Sequence, residues 1–351
     1  MVETLVLPVQ ASAPESEAIA RAAAVLQAGG LVAFPTETVY GLGANALDAQ
    51  AASSIFRAKD RPVYDPLIVH LADGEDLPIA AAQVSAVARE LAACFWPGPL
   101  TLVLPRAPRI PTEVTSGGET VAVRVPAHPV AQALIRAAGV PVAAPSANRF
   151  GRISPTRAEH VLADLAGRVD VILDGGPTPV GVESTVLSLV MPVPTILRPG
   201  GISREALIAI LGEVRVLEPI TPETETAPAP GMALQHYAPR APLTLFRGEP
   251  AAMLAALRDA AQAYLDAGER VGLLLADEDG ATFRDLPVTV QCAGPSADVT
   301  RVAQQLFASL RALDRAGVSI ILARDFGAAG LGLAIRDRLT RAAAGDVVRV
   351  A

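Results

Sequence analysis

Behind Gly29-Gly30 the chain reads Leu-Val-Ala-Phe-Pro-Thr-Glu-Thr-Val-Tyr-Gly-Leu-Gly, from Leu31 to Gly43. It begins as a short apolar run, the pattern of a buried strand that follows a helix. Pro35 has no N–H to give to a ladder and ends that strand. Thr36, Glu37, Thr38 and Tyr40 then place polar groups where the chain must turn back toward the core. Gly41 and Gly43 are expected to let backbone approach a ligand or to take positive φ. A polar loop at a strand's carboxyl end is where open α/β sheets hold ligands. An ordinary strand–turn with a hydrogen-bonded threonine pair would read the same way.

The rest of the chain can build a large structure around this stretch. Its 351 residues suffice for two domains. With 51% hydrophobic residues and only 4% aromatic ones, the core must be mostly Ala, Val, Leu and Ile. A net charge of −7 excludes a broad electrostatic grip on nucleic acid but leaves room for a local basic site. Cys94 and Cys292 offer neither metal spacing nor a disulfide framework, which suits a reducing cytoplasm. No signal peptide and no membrane-spanning run is evident.

Strands are expected at Leu67–Leu71, Leu100–Leu104, Val121–Val125, Val140–Ala144, Val169–Leu173, Ser184–Val190 and Thr195–Leu197. Helices fall between them, with capping boxes at Ser12/Glu15 and Thr156/Glu159, and caps at Asp48 and Ser203. Strict alternation is missing, so the reading is α/β with a mixed sheet over residues 1–217. Residues 218–240 open with a Pro/Thr/Glu-rich stretch and read as a linker. Beyond it, four apolar runs alternate with helical segments, giving a smaller α/β domain over 241–351 with a mainly parallel sheet.

Polar residues recur at strand ends in the first domain: Lys59 and Arg61, Ser146 and Asn148, Ser154, and Arg198 before Pro199-Gly200-Gly201. Lysine, arginine, hydroxyls and glycines together suit a polyphosphate. Singly, each basic residue is more often a solvated surface charge. Arg124 differs, because a charge between valines in mid-strand must face a ligand or a buried carboxylate. His70 read alone is more often structural. No Walker loop, no dinucleotide fingerprint and no nucleophile elbow is present, so the residues themselves point only to an anionic, phosphorylated small molecule.

Several segments resemble the L-threonylcarbamoyladenylate synthase family, the long two-domain form of the YrdC-like proteins. They are Phe-Pro-Thr-Glu-Thr-Val-Tyr-Gly-Leu-Gly (34–43), Lys-Asp-Arg-Pro (59–62), Pro-Leu-Ile-Val-His (66–70), Trp-Pro-Gly-Pro-Leu-Thr (96–101), Val-Ala-Val-Arg-Val-Pro (121–126), Ala-Pro-Ser-Ala-Asn (144–148), Glu-Ser-Thr-Val (183–186) and Leu-Arg-Pro-Gly (197–200). Weaker matches follow at Pro-Gly-Met (230–232), His-Tyr-Ala-Pro (236–239) and Gly-Leu-Gly…Asp-Arg-Leu (330–339). Asp65 stands where the family usually has Asn.

The resemblance implies a YrdC-like twisted mixed sheet with flanking helices and a smaller Rossmann-like C-terminal domain. It implies a nucleotidyltransferase that makes threonylcarbamoyl-AMP and pyrophosphate from L-threonine, bicarbonate and ATP with Mg2+, for the threonylcarbamoyladenosine modification of tRNA by downstream transfer machinery. Thr38, His70, Arg124, Ala144 and Ser184 would hold threonine. Lys59, Arg61, Asp65, Thr120, Ser146, Ser154, Arg198 and Tyr237 would hold ATP, with Lys59 and Arg61 the catalytic candidates. The linker would act as a lid, with Tyr237 touching nucleotide. Two alternatives stand beside it. A carbamoyl-adenylate former of hydrogenase maturation would need acylphosphatase and zinc-finger modules. A double-stranded RNA or ribosome-binding module is disfavoured by the net charge, which leaves at most weak RNA binding.

Overall fold

The computed structural model describes residues 3–217 and 236–350. The stretch expected as a linker and lid lies outside them, apart from residues 236–240. The chain divides into two compact units, the second comprising 151–153 and 233–351. Among the described residues no helix is long and apolar enough to cross a membrane.

The first unit holds strands β1 (Leu5–Pro8), β2 (Val32–Pro35), β3 (Tyr40–Asn45), β4 (Ile68–His70), β5 (Leu100–Pro105), β6 (Thr120–Arg124), β7 (Val142–Ala143), β8 (Val171–Asp174), β9 (Thr185–Ser188), β10 (Thr195–Arg198) and β11 (Arg215–Val216). They form one mixed sheet in the order β1-β8-β2-β3-β7-β4-β6-β5-β9-β10-β11. Its helices are α1 (Ser16–Gln27), α2 (Ala49–Lys59), α3 (Leu77–Ala80), α4 (Ala86–Phe95), α5 (Pro129–Ala138), α6 (Ala158–Leu165) and α7 (Arg204–Leu211).

Strand β2 shows why the sheet is covered on both faces. Side chains alternate along a strand: Val32 and Phe34 join a core with Leu26 of α1 and Leu134 of α5. Leu31 and Ala33 join the opposite core, with Ile55 of α2, Leu91 of α4 and Val161 of α6.

The opening stretch is a hairpin. Val32 pairs with Gly43 and Pro35 with Tyr40, antiparallel. Gly41 and Gly43 lie inside β3 and take no positive φ. At Gly43 small size has another cause: a Cβ there would stand 2.7 Å from Val142 and 2.8 Å from Phe34.

Two of the expected helix starts differ. Helix α1 begins at Ser16 with Glu15 as its cap residue, and the Glu15 carboxylate instead accepts from the Gln10 N–H at 2.9 Å. Helix α6 is capped at Arg157, and the Thr156 N–H goes to His160 Nδ1. Asp48, Ser85 and Ser203 do cap their helices with side-chain oxygens.

The second unit is a parallel sheet of β12 (Leu243–Arg247), β13 (Val271–Leu275), β14 (Thr289–Cys292), β15 (Ile320–Arg324) and β16 (Val347–Arg349), in the order β14-β13-β15-β12-β16. Helix α8 (Pro250–Asp266) packs on one face through Met253, Leu257 and Ala261. Helices α9 (Val299–Ala316) and α10 (Gly332–Ala342) pack against each other.

Candidate active site

The loop Thr36–Val39 closes the β2–β3 hairpin and sits at the centre of the first unit's polar residues. Backbone hydrogen bonds draw three distant segments to it. Ala147 N–H donates to Tyr40 C=O, Tyr40 N–H to Pro155 C=O, and Gly181 N–H to Thr38 C=O. Ser146, Ser154 and Ser184 therefore arrive beside the loop on segments that the hairpin fixes.

Within the loop the Thr36 and Thr38 hydroxyls are 2.8 Å apart, and Thr36 Oγ1 also donates to Val39 C=O. Arg124, ending β6, reaches this pair. Its Nη1 donates to Thr38 Oγ1 at 3.1 Å, its Nε to Gly98 C=O at 3.2 Å, and its Nη2 lies 2.6 Å from Glu37 Oε1. The other Glu37 oxygen accepts from the Ala127 N–H at 3.0 Å. The ion pair is buried, which answers the question the sequence raised: the mid-strand arginine faces a carboxylate.

His70 is the register partner of Arg124 on the adjacent parallel strand. Burial, and then the Arg124 charge, push its pKa down to about 3. It is a neutral imidazole at physiological pH, with Nδ1 3.2 Å from Ile68 C=O.

A second group of residues forms at the end of α2. Lys59 is fully buried, and its Nζ donates to the backbone carbonyls of Ser146, at 2.5 Å, and Asn148. Burial, with the neighbouring Arg61 charge, holds its pKa well below the usual lysine range. Arg61 donates to the carbonyls of Asp65 and Pro66 at 2.9 and 2.8 Å, pairs with the Asp65 carboxylate at 2.9 Å, and lies over the Phe150 ring. Asp60, in left-handed conformation, caps the helix and lets the chain turn between the two cations.

A third group lies at β9 and β10. Arg198 Nη2 donates to Ser184 C=O at 3.0 Å and to Ser184 Oγ at 3.2 Å; that hydroxyl is 2.7 Å from Thr101 Oγ1. Ser154 Oγ donates to the buried Glu183 carboxylate. Gly200 has to be glycine, because a Cβ there would fall 2.3 Å from Glu183 C=O and from the backbone of Ser184 and Thr185.

Two expected residues stand elsewhere. Thr120 begins β6, so it sits about 13 Å along the strand from Arg124 at the usual rise per residue. Tyr237 belongs to the second unit, and the expectation of a ring open to nucleotide is corrected: it is buried, 5.7 Å from the Phe307 ring and 4.8 Å beneath the Arg338 guanidinium. A large aromatic ring gains more from that stacking and burial than from exposure. Ala144 contributes backbone, its N–H donating to Ile68 C=O at 2.8 Å.

Sequence reasoning did not assign Glu37, Glu183 or Thr101. The available signal was two carboxylates in short apolar surroundings, each beside a hydroxyl that had been assigned.

Fold and site together define a class: a two-unit α/β protein whose first unit buries arginines, a lysine and hydroxyls around one hairpin loop, suited to a polyanionic substrate. Comparisons with known proteins narrow the class. A family model described as "Telomere recombination", for Sua5, YciO and YrdC proteins, matches residues 24–200. One described as "Threonylcarbamoyl-AMP synthase, C-terminal domain" matches 202–344. The threonylcarbamoyl-AMP synthases of Bacillus subtilis and Pyrococcus abyssi are 46% and 43% identical over 94% of this chain, with 94% and 95% of those proteins covered. The crystal structure of P. abyssi Sua5 complexed with L-threonine matches with a TM-score of 0.91 at 40% identity, covering 100% of each chain. The chain belongs to the threonylcarbamoyl-AMP synthase family.

Proposed function

We propose that this enzyme joins L-threonine and bicarbonate, with loss of water, into N-carboxythreonine. The new carboxylate then attacks the α-phosphorus of ATP, giving threonylcarbamoyl-AMP and releasing pyrophosphate. The observation that carries the reading is the gathering in the first unit of Lys59, Arg61, Arg124 and Arg198, all buried, with Thr38, Ser146, Ser154 and Ser184. In-line displacement at phosphorus needs positioning and neutralisation of negative charge more than acid–base work. Arg124, Thr38 and Ser184 would orient threonine, and neutral His70 would hydrogen-bond it without adding charge. Lys59, Arg61 and Arg198 would take the phosphates, with Asp65, Ser146 and Ser154 completing the nucleotide contacts.

Magnesium, in this reading, travels on ATP and screens its phosphates. Among the described residues no three carboxylate, imidazole or thiol groups gather to cage a metal. The labile anhydride is consumed by transfer machinery that places the threonylcarbamoyl group on tRNA, in the cytoplasm. Mass spectrometry of products from ATP, bicarbonate and L-threonine tests the proposal. Pyrophosphate release that proceeds equally without threonine or without bicarbonate refutes it.

A further inference from the structure

The second unit carries a basic site that this reaction does not use. In its sheet order, the chain leaves β12 and β13 toward the β14 edge and leaves β14 and β15 toward the β16 edge. The adjacent strands β13 and β15 therefore send their connections apart and flank a topological switch point, where open parallel sheets hold ligands, and β12 and β16 continue the same carboxyl edge beyond β15. Arg247 ends β12, Arg349 ends β16, and the two are direct register partners. Like charges directly opposed on a sheet repel.

Neither makes an ion pair among the described residues. The nearby carboxylate, Asp325, follows β15 and is already committed to Arg336 of α10, through Nε at 3.0 Å and Nη2 at 2.5 Å. Arg324 is likewise matched by Asp279. Two cations are left over, with Arg336 beside them. Partial burial and the charges of Arg336 and Arg349 lower the Arg247 pKa, against the opposing pull of Asp325.

We propose that Arg247 and Arg349, with Arg336, bind a phosphate-bearing small molecule at the carboxyl edge of the second unit's sheet. Arginine forks fit phosphate oxygens in bidentate fashion, and a multiply charged anion offsets the repulsion between the two arginines. The inference does not depend on the reaction assigned to the first unit.

Calorimetric titration of the full chain with inorganic tripolyphosphate tests it. The wild type is expected to show two sites, one of them lost in Arg247→Gln/Arg349→Gln while pyrophosphate release stays within about two-fold. The charge-keeping pair Arg247→Lys/Arg349→Lys should retain both. The single variant Arg349→Gln, at an exposed position, should weaken the second site at least ten-fold and settles the matter if the double variant folds poorly. Competition separates the sources: stronger displacement by ATP than by pyrophosphate assigns a nucleotide, and the reverse assigns free polyphosphate. Tripolyphosphate binding that the glutamine variants leave undiminished overturns the proposal.

Discussion

Replacing Arg124 with alanine separates two effects that the buried ion pair combines. Arg124 is 3% exposed and satisfies Thr38, Gly98 and Glu37 at once. Its loss strands the buried Glu37 carboxylate, still held by the Ala127 N–H, without its cation. Breaking one side of a buried pair costs about 3–5 kcal/mol of stability. For substrate, losing a desolvated cation opposite a carboxylate costs about 2–5 kcal/mol, or about 30- to 5,000-fold in kcat/KM for threonine. The double variant Arg124→Ala/Glu37→Gln removes the stranded charge and should regain most of the stability, since neutral replacements of a buried pair are tolerated. Threonine use should stay lost. The assays are urea unfolding and pyrophosphate release across a threonine titration. A folded Arg124→Ala enzyme with unchanged threonine kinetics removes Arg124 from the site, and a double variant no more stable than the single one refutes the ion-pair argument.

Three further outcomes follow from named residues. Lys59 sits with a depressed pKa among carbonyls, so ATP binding should be accompanied by proton uptake as the phosphates favour the ammonium; binding enthalpies that do not differ between HEPES and Tris buffers would count against this. The folded chain resists protonating His70 down to about pH 3, whereas the unfolded chain protonates near 6.5, so stability should fall as pH drops through that window. His70→Asn should flatten that part of the curve in acid-denaturation measurements. Gly200→Ala forces a methyl into the backbone of Glu183–Thr185 and should cost about 1–3 kcal/mol; it should also raise the threonine KM by displacing Ser184, and an unchanged KM would detach that serine from substrate.

Much of this was legible in the sequence because it rests on local signals. Short apolar runs marked the strands of the first core, and Asp48 and Ser203 announced their helices through their own side-chain oxygens. The failures are equally physical. Ser12 and Thr156 have the right spacing for capping boxes, but capping depends on where the helix is allowed to begin, and tertiary packing set that at Ser16 and Ala158. Gly41 and Gly43 looked like loop glycines, yet both lie in a strand, and what Gly43 avoids is Val142 and Phe34, neighbours that only folding supplies. The short strands β1, β11 and β16 needed partners from elsewhere in the chain to be strands at all. At the site, Arg124 could be singled out as a valine-flanked charge, but the identity of its carboxylate could not: Glu37 is 87 residues away. Tyr237 was misjudged because nothing local to His-Tyr-Ala-Pro reveals Phe307 or Arg338.

The four buried cations of the candidate site have one trait in common: each is oriented by main-chain carbonyls. Lys59 leans on Ser146 and Asn148, Arg61 on Asp65 and Pro66, Arg124 on Gly98, and Arg198 on Ser184. A carbonyl survives any change of the side chain that carries it. Position 65 can therefore exchange aspartate for asparagine, altering the local charge, while the carbonyl that aims Arg61 stays where it is. In a saturation mutagenesis map the donors should appear as intolerant points, whereas Asp65→Asn should be tolerated.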